Sequence, residues 1–192
     1  MGKFAIVLAF MGISYFGNWF QHSVRIALDR GLDEQLKREE VIANAASWVG
    51  VREVGGNNMG KEVESFLSCC GLPGGYPWCG GYVCYVFTQS KLKSPKGACG
   101  SYNWAVDSLS VYRYAGIRKK IQAGDIFTLY YRRLGRVGHV GIVGGLIGRN
   151  TIMTYEGNTN EGGSRTGDGV YRKARPINSL EGIYNHISYQ VK

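Results

Sequence analysis

Residues Gly74–Phe87 read GGYPWCGGYVCYVF, a glycine- and proline-containing turn that runs directly into an apolar, helix-like segment. Proline is favoured in the first turn of a helix, because its missing N–H has no intrahelical partner there. Cys79, two residues after Pro77, is therefore expected at or near a helix N-terminus. Unpaired N–H groups and the helix dipole stabilise an anion at that position, so the pKa of this thiol should fall below the ordinary value of about 8.5. We identify Cys79 as a candidate nucleophile.

The size and composition of the chain fit one globular domain with an appendage. Its 192 residues are 44% hydrophobic and 19% charged, and the 29 glycines and 13 tyrosines indicate many turns and a β-rich part. The net charge is +9, and seven basic residues between Arg113 and Arg136 stand against one acidic residue, Asp125. A basic surface can attract nucleic acid, anionic lipid headgroups or an acidic polymer such as a bacterial cell wall. A solvated face that serves solubility explains the excess equally well.

The N-terminus is mostly apolar from Phe4 to Phe20, after a start of Met1, Gly2 and Lys3. This run is similar to a signal-peptide core or a short membrane anchor, although it lacks a clean cleavage site and is short for a spanning helix. An arm that packs in a larger assembly is the alternative. We therefore divide the chain into an arm over residues 1–24, a polar connector or surface helix over residues 25–38 and a domain over residues 39–192.

Within that domain the pattern changes from helical to strand-like. Apolar residues at helical spacing predict helices, and glycine-punctuated β-branched and aromatic segments predict short strands. Helices are expected over 39–51, 62–70 and 79–89, with a turn or short helix over 101–107. Strands are expected over 126–131, 136–143, 151–156, 169–172 and 183–189. Helices followed by tightly connected strands favour an α+β fold with an antiparallel sheet.

The five cysteines provide no recognisable metal site or obvious disulfide framework. Cys69 and Cys70 are adjacent, and Cys79 and Cys84 lie five residues apart on one predicted helix, a poor geometry for a bridge. The sequence contains no C-x-x-C pair and no histidine at zinc-ligand spacing, which argues against a structural metal. The simplest interpretation is one reactive thiol with a few small buried hydrophobic residues. A disulfide elsewhere, for instance one that involves Cys99, is left open.

A nucleophilic thiol needs a base and a group that orients the base. His139 lies in a glycine-punctuated strand, whereas His22 follows the apolar N-terminal run and His186 fits a structural strand position. If the following hairpin turns at residues 147 and 148, His139 lies directly opposite Glu156, with the two Cβ atoms about 5 Å apart. A one-residue slip in the turn would separate them. Asn158, two residues further along, would support the imidazole or polarise the substrate.

Three segments carry a resemblance to a known family: Pro77–Cys79, Gly138–Val143 and Tyr155–Asn160. They resemble the CHAP family of cysteine amidases and peptidases, which belongs to the NlpC-type branch of papain-like folds and is common in phage lysins and bacterial cell-wall hydrolases. The resemblance covers roughly residues 39–187. It implies a papain-like domain in which N-terminal helices pack on a C-terminal antiparallel sheet.

The resemblance also implies a chemistry, which is hydrolysis of an amide bond in peptidoglycan through a thioester intermediate. Cys79 would be the nucleophile, His139 the base and then the acid, Glu156 the orienting residue and Asn158 an auxiliary polar group. Near the nucleophile we name two further residues as substrate-binding candidates. Trp78 would contact substrate or, equally, pack to fix the helix entry. Tyr76 is a candidate second oxyanion donor beside the backbone N–H of Cys79.

The sequence departs from the family pattern in two places. Gly80 and Gly81 follow the cysteine, and each glycine costs a helix roughly 1 kcal/mol relative to alanine. We therefore expect the helix to begin late or to approach another backbone closely. Some family members carry an Asp-rich calcium loop before the cysteine, but residues 71–76 contain no carboxylate. We expect no calcium at that site, and no other metal or cofactor.

The leading functional hypothesis is a peptidoglycan hydrolase, either an N-acetylmuramoyl-L-alanine amidase or an endopeptidase that cuts stem or cross-bridge peptides. It would be exported or membrane-anchored in a bacterium, or carried in a phage particle. In one alternative, the N-terminal arm engages a larger virion or envelope assembly. The alternative is a structural or interaction protein on an inactive papain-like scaffold. Nucleic-acid binding through residues 113–136 lacks any recognised motif, and we expect no specific nucleic-acid partner.

Overall fold

A computed structural model describes residues 3–113, 116, 119–162 and 167–191 of the chain, with side chains described from Gln21 onward. Three α-helices precede the main strands: α1 (Lys3–Ser47), α2 (Lys61–Ser68) and α3 (Cys79–Gln89). The strands are β1 (Ser110–Arg113), β2 (Ile126–Tyr131), β3 (Arg136–Leu146), β4 (Thr151–Thr159), β5 (Gly169–Pro176) and β6 (Gly182–Tyr184).

The described strands form a single antiparallel sheet in the order β1-β6-β2-β3-β4-β5. The helix α3 packs on the central strands β3 and β4, and α1 and α2 pack on α3. The predicted α+β fold, with helices on an antiparallel sheet, is thus confirmed. Strand β1 was not predicted. The last strand is shorter than predicted, since it ends at Tyr184.

The helix α1 is 45 residues long and continuous. It therefore joins the predicted arm, the connector and the first predicted helix, which ends at Ser47 instead of residue 51. Val41 and Ala45 are buried in the core, and Arg38 pairs with the buried Asp125 at 2.9 Å (Nη1 to Oδ1), which ties α1 to the start of β2. Burial raises the pKa of Asp125 to about 6, although Arg38 opposes the shift.

The predicted arm, residues 1–24, falls mostly outside the residues whose side chains the structure describes, so its role stays a prediction. Among the residues that are described, no helix is long and apolar enough to cross a membrane.

The two glycines after Cys79 are explained by close backbone contacts. A Cβ atom on Gly80 would lie 2.5 Å from the carbonyl oxygens of Ala98 and Cys99, and one on Gly81 would lie 3.0 Å from the carbonyl oxygen of Phe66. The expectation of a close backbone approach is therefore correct. The alternative of a late helix start is wrong, since α3 begins at Cys79 itself.

Four of the five cysteines form disulfides, Cys69–Cys84 and Cys70–Cys99, and Cys79 is the free thiol. The interpretation that these four are small buried hydrophobic residues is wrong. The adjacent cysteines after α2 diverge, so that one bridges to α3 and the other to the segment that packs against Gly80. Both bridges therefore fasten the surroundings of the helix that carries the free thiol.

Candidate active site

The thiol of Cys79 lies at the first residue of α3, as predicted, and is 6% exposed. It is hydrogen-bonded to the His139 side chain and to the backbone of Val140 and Gly80. Burial raises the pKa of this thiol, but the hydrogen bond and charge of His139, together with the two backbone contacts, bring it below the ordinary value overall. The site therefore favours a thiolate, the form of cysteine that attacks carbonyl groups.

His139 is a buried residue of β3. The pairing of β3 with β2 shifts register at Gly138, the residue directly before His139. Its Nε2 atom lies 2.9 Å from Oε2 of Glu156, which leaves Nδ1 for the Cys79 thiol. Burial lowers the pKa of His139, but its bonds to Cys79 and Glu156 raise it to about 9. At neutral pH these three side chains can hold a thiolate–imidazolium pair, oriented by a carboxylate.

Glu156 is fully buried and accepts hydrogen bonds from three side chains. Besides the contact with His139, Thr154 Oγ1 donates to Oε1 at 2.5 Å, and Arg175 donates from Nε to Oε1 at 2.5 Å and from Nη2 to Oε2 at 2.6 Å. Burial raises the pKa of Glu156, but the bonds from His139 and Arg175 lower it to about 2. The carboxylate therefore stays charged and fixed in orientation.

The predicted hairpin register is wrong, although the contact that it predicted is present. Ile142 pairs with Tyr155 in β4, two residues away from the predicted register, so Glu156 lies diagonally from His139. Side chains alternate between the two faces of a strand, so an offset of two keeps both residues on one face. Nearer the turn, Gly145 pairs with Met153, which is three residues away from the predicted register. The register shift between Val143 and Gly145 reduces this difference to two residues in the pairs closer to His139.

Asn158 is buried and has partners other than the imidazole. Its Nδ2 atom donates to Oδ1 of Asn58 at 2.9 Å and to Oε1 of Glu53 at 3.4 Å. Its φ of 55° and the shift in β4–β5 pairing after Glu156 show that the regular strand geometry assumed in the prediction breaks here. Asn158 therefore connects β4 to the loop before α2, and it also lines the cleft above Cys79.

The two residues that we predicted to bind substrate differ in exposure. Trp78 is fully buried, stacks on Phe66 with the ring centroids 5.5 Å apart, and donates from Nε1 to Glu53 at 2.8 Å. The packing alternative therefore describes Trp78, and its buried indole is not available to substrate. Tyr76 is 51% exposed and lines the cleft.

A cleft of 370 Å³ opens above Cys79. Its floor holds the thiol, and its walls come from the loop before α3, the segment around the first 3-10 helix and the start of β3. The residues that line the walls include Tyr76, Ser101, Tyr102, Leu134, Arg136 and Asn158. Among the residues that the structure describes, no group of three or more His, Cys, Asp or Glu side chains could hold a metal ion.

Residues 71–158 match the family model of the CHAP domain. This region is therefore similar to the CHAP domain, the family that the sequence motifs resemble. The matched region includes Cys79, His139, Glu156 and Asn158, whereas Arg175 lies beyond it.

Solved structures similar to this chain include the P60 domain of an antigen from M. avium paratuberculosis, with 18% identity, a TM-score of 0.47 and coverage of 81% of this chain and 97% of that one. The peptidoglycan hydrolase RipB from Mycobacterium tuberculosis has 18% identity, a TM-score of 0.43 and coverage of 81% and 67%. A mutant of the resuscitation promoting factor interacting protein RipA has 16% identity, a TM-score of 0.43 and coverage of 81% and 64%. No curated protein matches the chain.

Sequence reasoning missed Arg175, the residue that holds Glu156 in place. We expect Arg175→Met to lower the turnover number and to shift the alkaline limb of the pH–rate profile above its wild-type position near pH 9. Arg175 and His139 share Oε2 of Glu156, so removal of the guanidinium leaves the whole carboxylate charge to the imidazolium and raises the pKa of His139.

The measurement is a pH–rate profile of substrate hydrolysis for wild type, Arg175→Met and Arg175→Lys. Arg175→Lys keeps the charge and loses the two-point contact, so its alkaline limb should remain near the wild-type position while its rate falls. If Arg175→Met lowers the rate at every pH equally, Arg175 only supports the fold and does not tune the imidazole.

Proposed function

We propose that this protein is a peptidoglycan hydrolase that cleaves an amide bond with Cys79 as the nucleophile. One observation carries the proposal: the free thiol of the chain, at the start of α3, bonds His139, which is held by the buried Glu156 at 2.9 Å. This is the arrangement that nucleophilic catalysis by cysteine requires. The CHAP domain match over residues 71–158 supports the cell wall as the substrate.

In the proposed reaction the Cys79 thiolate attacks the carbonyl carbon of the amide. The backbone N–H of Cys79, at the helix start, stabilises the resulting oxyanion. The His139 imidazolium then gives its proton to the leaving amine, and a thioester forms. A water molecule next loses a proton to His139 and attacks the thioester, which releases the acid product and regenerates the thiolate–imidazolium pair.

The disulfides support a place of action outside a reducing cytoplasm. Structural disulfides persist in oxidising compartments, and this chain has two of them beside the proposed nucleophile. We propose that the protein acts on the cell wall from such a compartment, with residues 1–24 serving export, anchoring or docking in a larger envelope or virion assembly.

The test is digestion of purified peptidoglycan, followed by mass spectrometry of the soluble products. An N-acetylmuramoyl-L-alanine amidase separates the glycan from the peptide and produces a new amino-terminal L-alanine. An endopeptidase leaves that bond intact and produces a new amine within the stem or cross-bridge. Wall binding without any hydrolysis product would contradict the proposal and favour the alternative of an interaction protein on an inactive scaffold.

A further inference from the structure

Three of the residues that line the cleft present large side chains to solvent. Tyr76, Tyr102 and Leu134 are 51%, 56% and 38% exposed, and all three line the same cleft above the Cys79 thiol. Exposed apolar and aromatic side chains that converge on a concave site are typical of ligand-binding surfaces. The cleft therefore has the character of a binding surface for an extended chain with some apolar parts.

Arg136 adds a positive charge to the lining of the cleft. It is an exposed residue at the first position of β3 and lines the cleft. Within the described part of the chain, the side chains of Arg38, Arg113 and Arg175 form ion pairs with carboxylates, whereas that of Arg136 forms none. Its one side-chain hydrogen bond among the described residues runs from Nη1 to the carbonyl oxygen of Val137 at 3.3 Å. Most of its five N–H donors therefore remain for a ligand.

The distance between Arg136 and His139 along β3 indicates which part of a bound substrate Arg136 would contact. Arg136 precedes His139 by three residues on the same strand, which corresponds to about 10 Å along an extended chain. A substrate peptide in extended form covers a similar distance in about three residues. A group that Arg136 binds would thus lie within a few residues of the amide bond that is cut.

We propose that Arg136 binds a free carboxylate of the substrate peptide and thereby selects acidic peptides for cleavage. The planar guanidinium can form a two-point, charge-assisted contact with a carboxylate, which fixes both the position and the orientation of the ligand. The inference rests on the proposed function, because it assigns the charge preference of the same cleft. It explains why a cation without an acidic partner lines the cleft that contains the nucleophile.

The alternative is that Arg136 serves solubility, like any exposed charge. The chain offers a matched control for this alternative in Arg133, an exposed arginine that lies three residues before Arg136, in the connection between β2 and β3. Arg133 is outside the set of residues that line the cleft. The substitutions Arg136→Met and Arg133→Met each remove one positive charge from the β2–β3 hairpin, and only the first removes it from the cleft.

The first experiment measures binding in the full chain with Cys79→Ala, which prevents turnover. The probe is a soluble disaccharide tetrapeptide prepared from peptidoglycan, with its carboxylates either free or converted to amides, and the method is calorimetry. We expect Arg136→Met to weaken binding of the free-carboxylate probe about tenfold or more, in line with a charge-assisted contact. Binding of the amidated probe should not change, and Arg133→Met should bind both probes like the parent protein.

The second experiment measures hydrolysis of the same probes with Cys79 present. Arg136→Met should raise KM for the free-carboxylate probe and leave kcat nearly unchanged, and Arg136→Lys should recover part of the loss. The assignment would be overturned if Arg133→Met raised KM as much as Arg136→Met does, or if Arg136→Met raised KM equally for the amidated probe. Either result would indicate a general attraction to anions. Unchanged binding by Arg136→Met would overturn it as well.

Failure of this inference is distinguishable from failure of the proposed function. If the wild type binds the probes with the expected dependence on Arg136 but hydrolyses no peptidoglycan, the carboxylate site stands and the hydrolase assignment fails. If the wild type hydrolyses peptidoglycan and binding is insensitive to Arg136, the hydrolase assignment stands and the carboxylate site fails. Thermal unfolding of each variant verifies that the fold is retained.

Discussion

Cys79→Ala is expected to abolish lysis of purified peptidoglycan, with a fall in rate of about 10⁴-fold or more, because the variant lacks the thiol that His139 activates for attack. His139→Ala should lower the rate by about 10³-fold, since the thiol then lacks both its base and the cation that stabilises its thiolate. The measurement is the fall in turbidity of a peptidoglycan suspension under conditions without reductant.

The control for this prediction is the folded state of the variants. The Cys79 side chain is small and forms no disulfide, so Cys79→Ala should unfold within a few degrees of the wild type. The other four cysteines are bridged, so loss of lysis in this variant cannot be attributed to a changed disulfide. Equal lysis by the wild type and a folded Cys79→Ala protein would remove the basis of the proposed mechanism.

Removal of the two disulfides is expected to have the largest effect on stability. The bridges span 15 and 29 residues, and loop-closure entropy gives about 3 kcal/mol for the shorter loop and about 3.5 kcal/mol for the longer one. The paired change Cys69→Ala with Cys84→Ala, and the pair Cys70→Ala with Cys99→Ala, should each lower the free energy of unfolding by the corresponding amount. Together they amount to a large share of the 5–15 kcal/mol that is typical of a domain.

The measurement is urea unfolding of the paired variants without reductant, and of the wild type with and without dithiothreitol. The second pair should also reduce activity more than the first, because Cys99 belongs to the segment whose carbonyl oxygens pack against Gly80, directly after the nucleophile. A wild type that is equally stable with and without dithiothreitol would show that the bridges do not contribute to folding.

Much of the fold was accessible from local sequence patterns. The turn before Cys79 and the apolar run after it place the start of α3 correctly, since helix starts depend on nearby residues. The strand β2 matches its prediction at both ends, because its apolar segment is bounded by a glycine turn and an arginine-rich connection. The length of α1 could not be predicted in the same way, because its polar middle section resembles a connector in composition.

The site was only partly predictable for a different reason. The pairing of His139 with Glu156 follows from strand alternation, which tolerates an error of two residues in register but not of one. The role of Arg175 depends on how β5 pairs with β4, and the disulfides depend on how α2 packs against α3. These are tertiary arrangements between segments distant in sequence, and no local pattern specifies them.

The central claim, a thiolate nucleophile at Cys79 activated by His139, is tested most directly by alkylation with iodoacetamide. Labelling of the single free thiol and loss of lytic activity are measured together as a function of pH. We predict one label per molecule on Cys79, activity lost in step with labelling, and rapid labelling well below pH 8.5 in the wild type but not in His139→Ala. Lytic activity that survives complete labelling of Cys79 would contradict the claim.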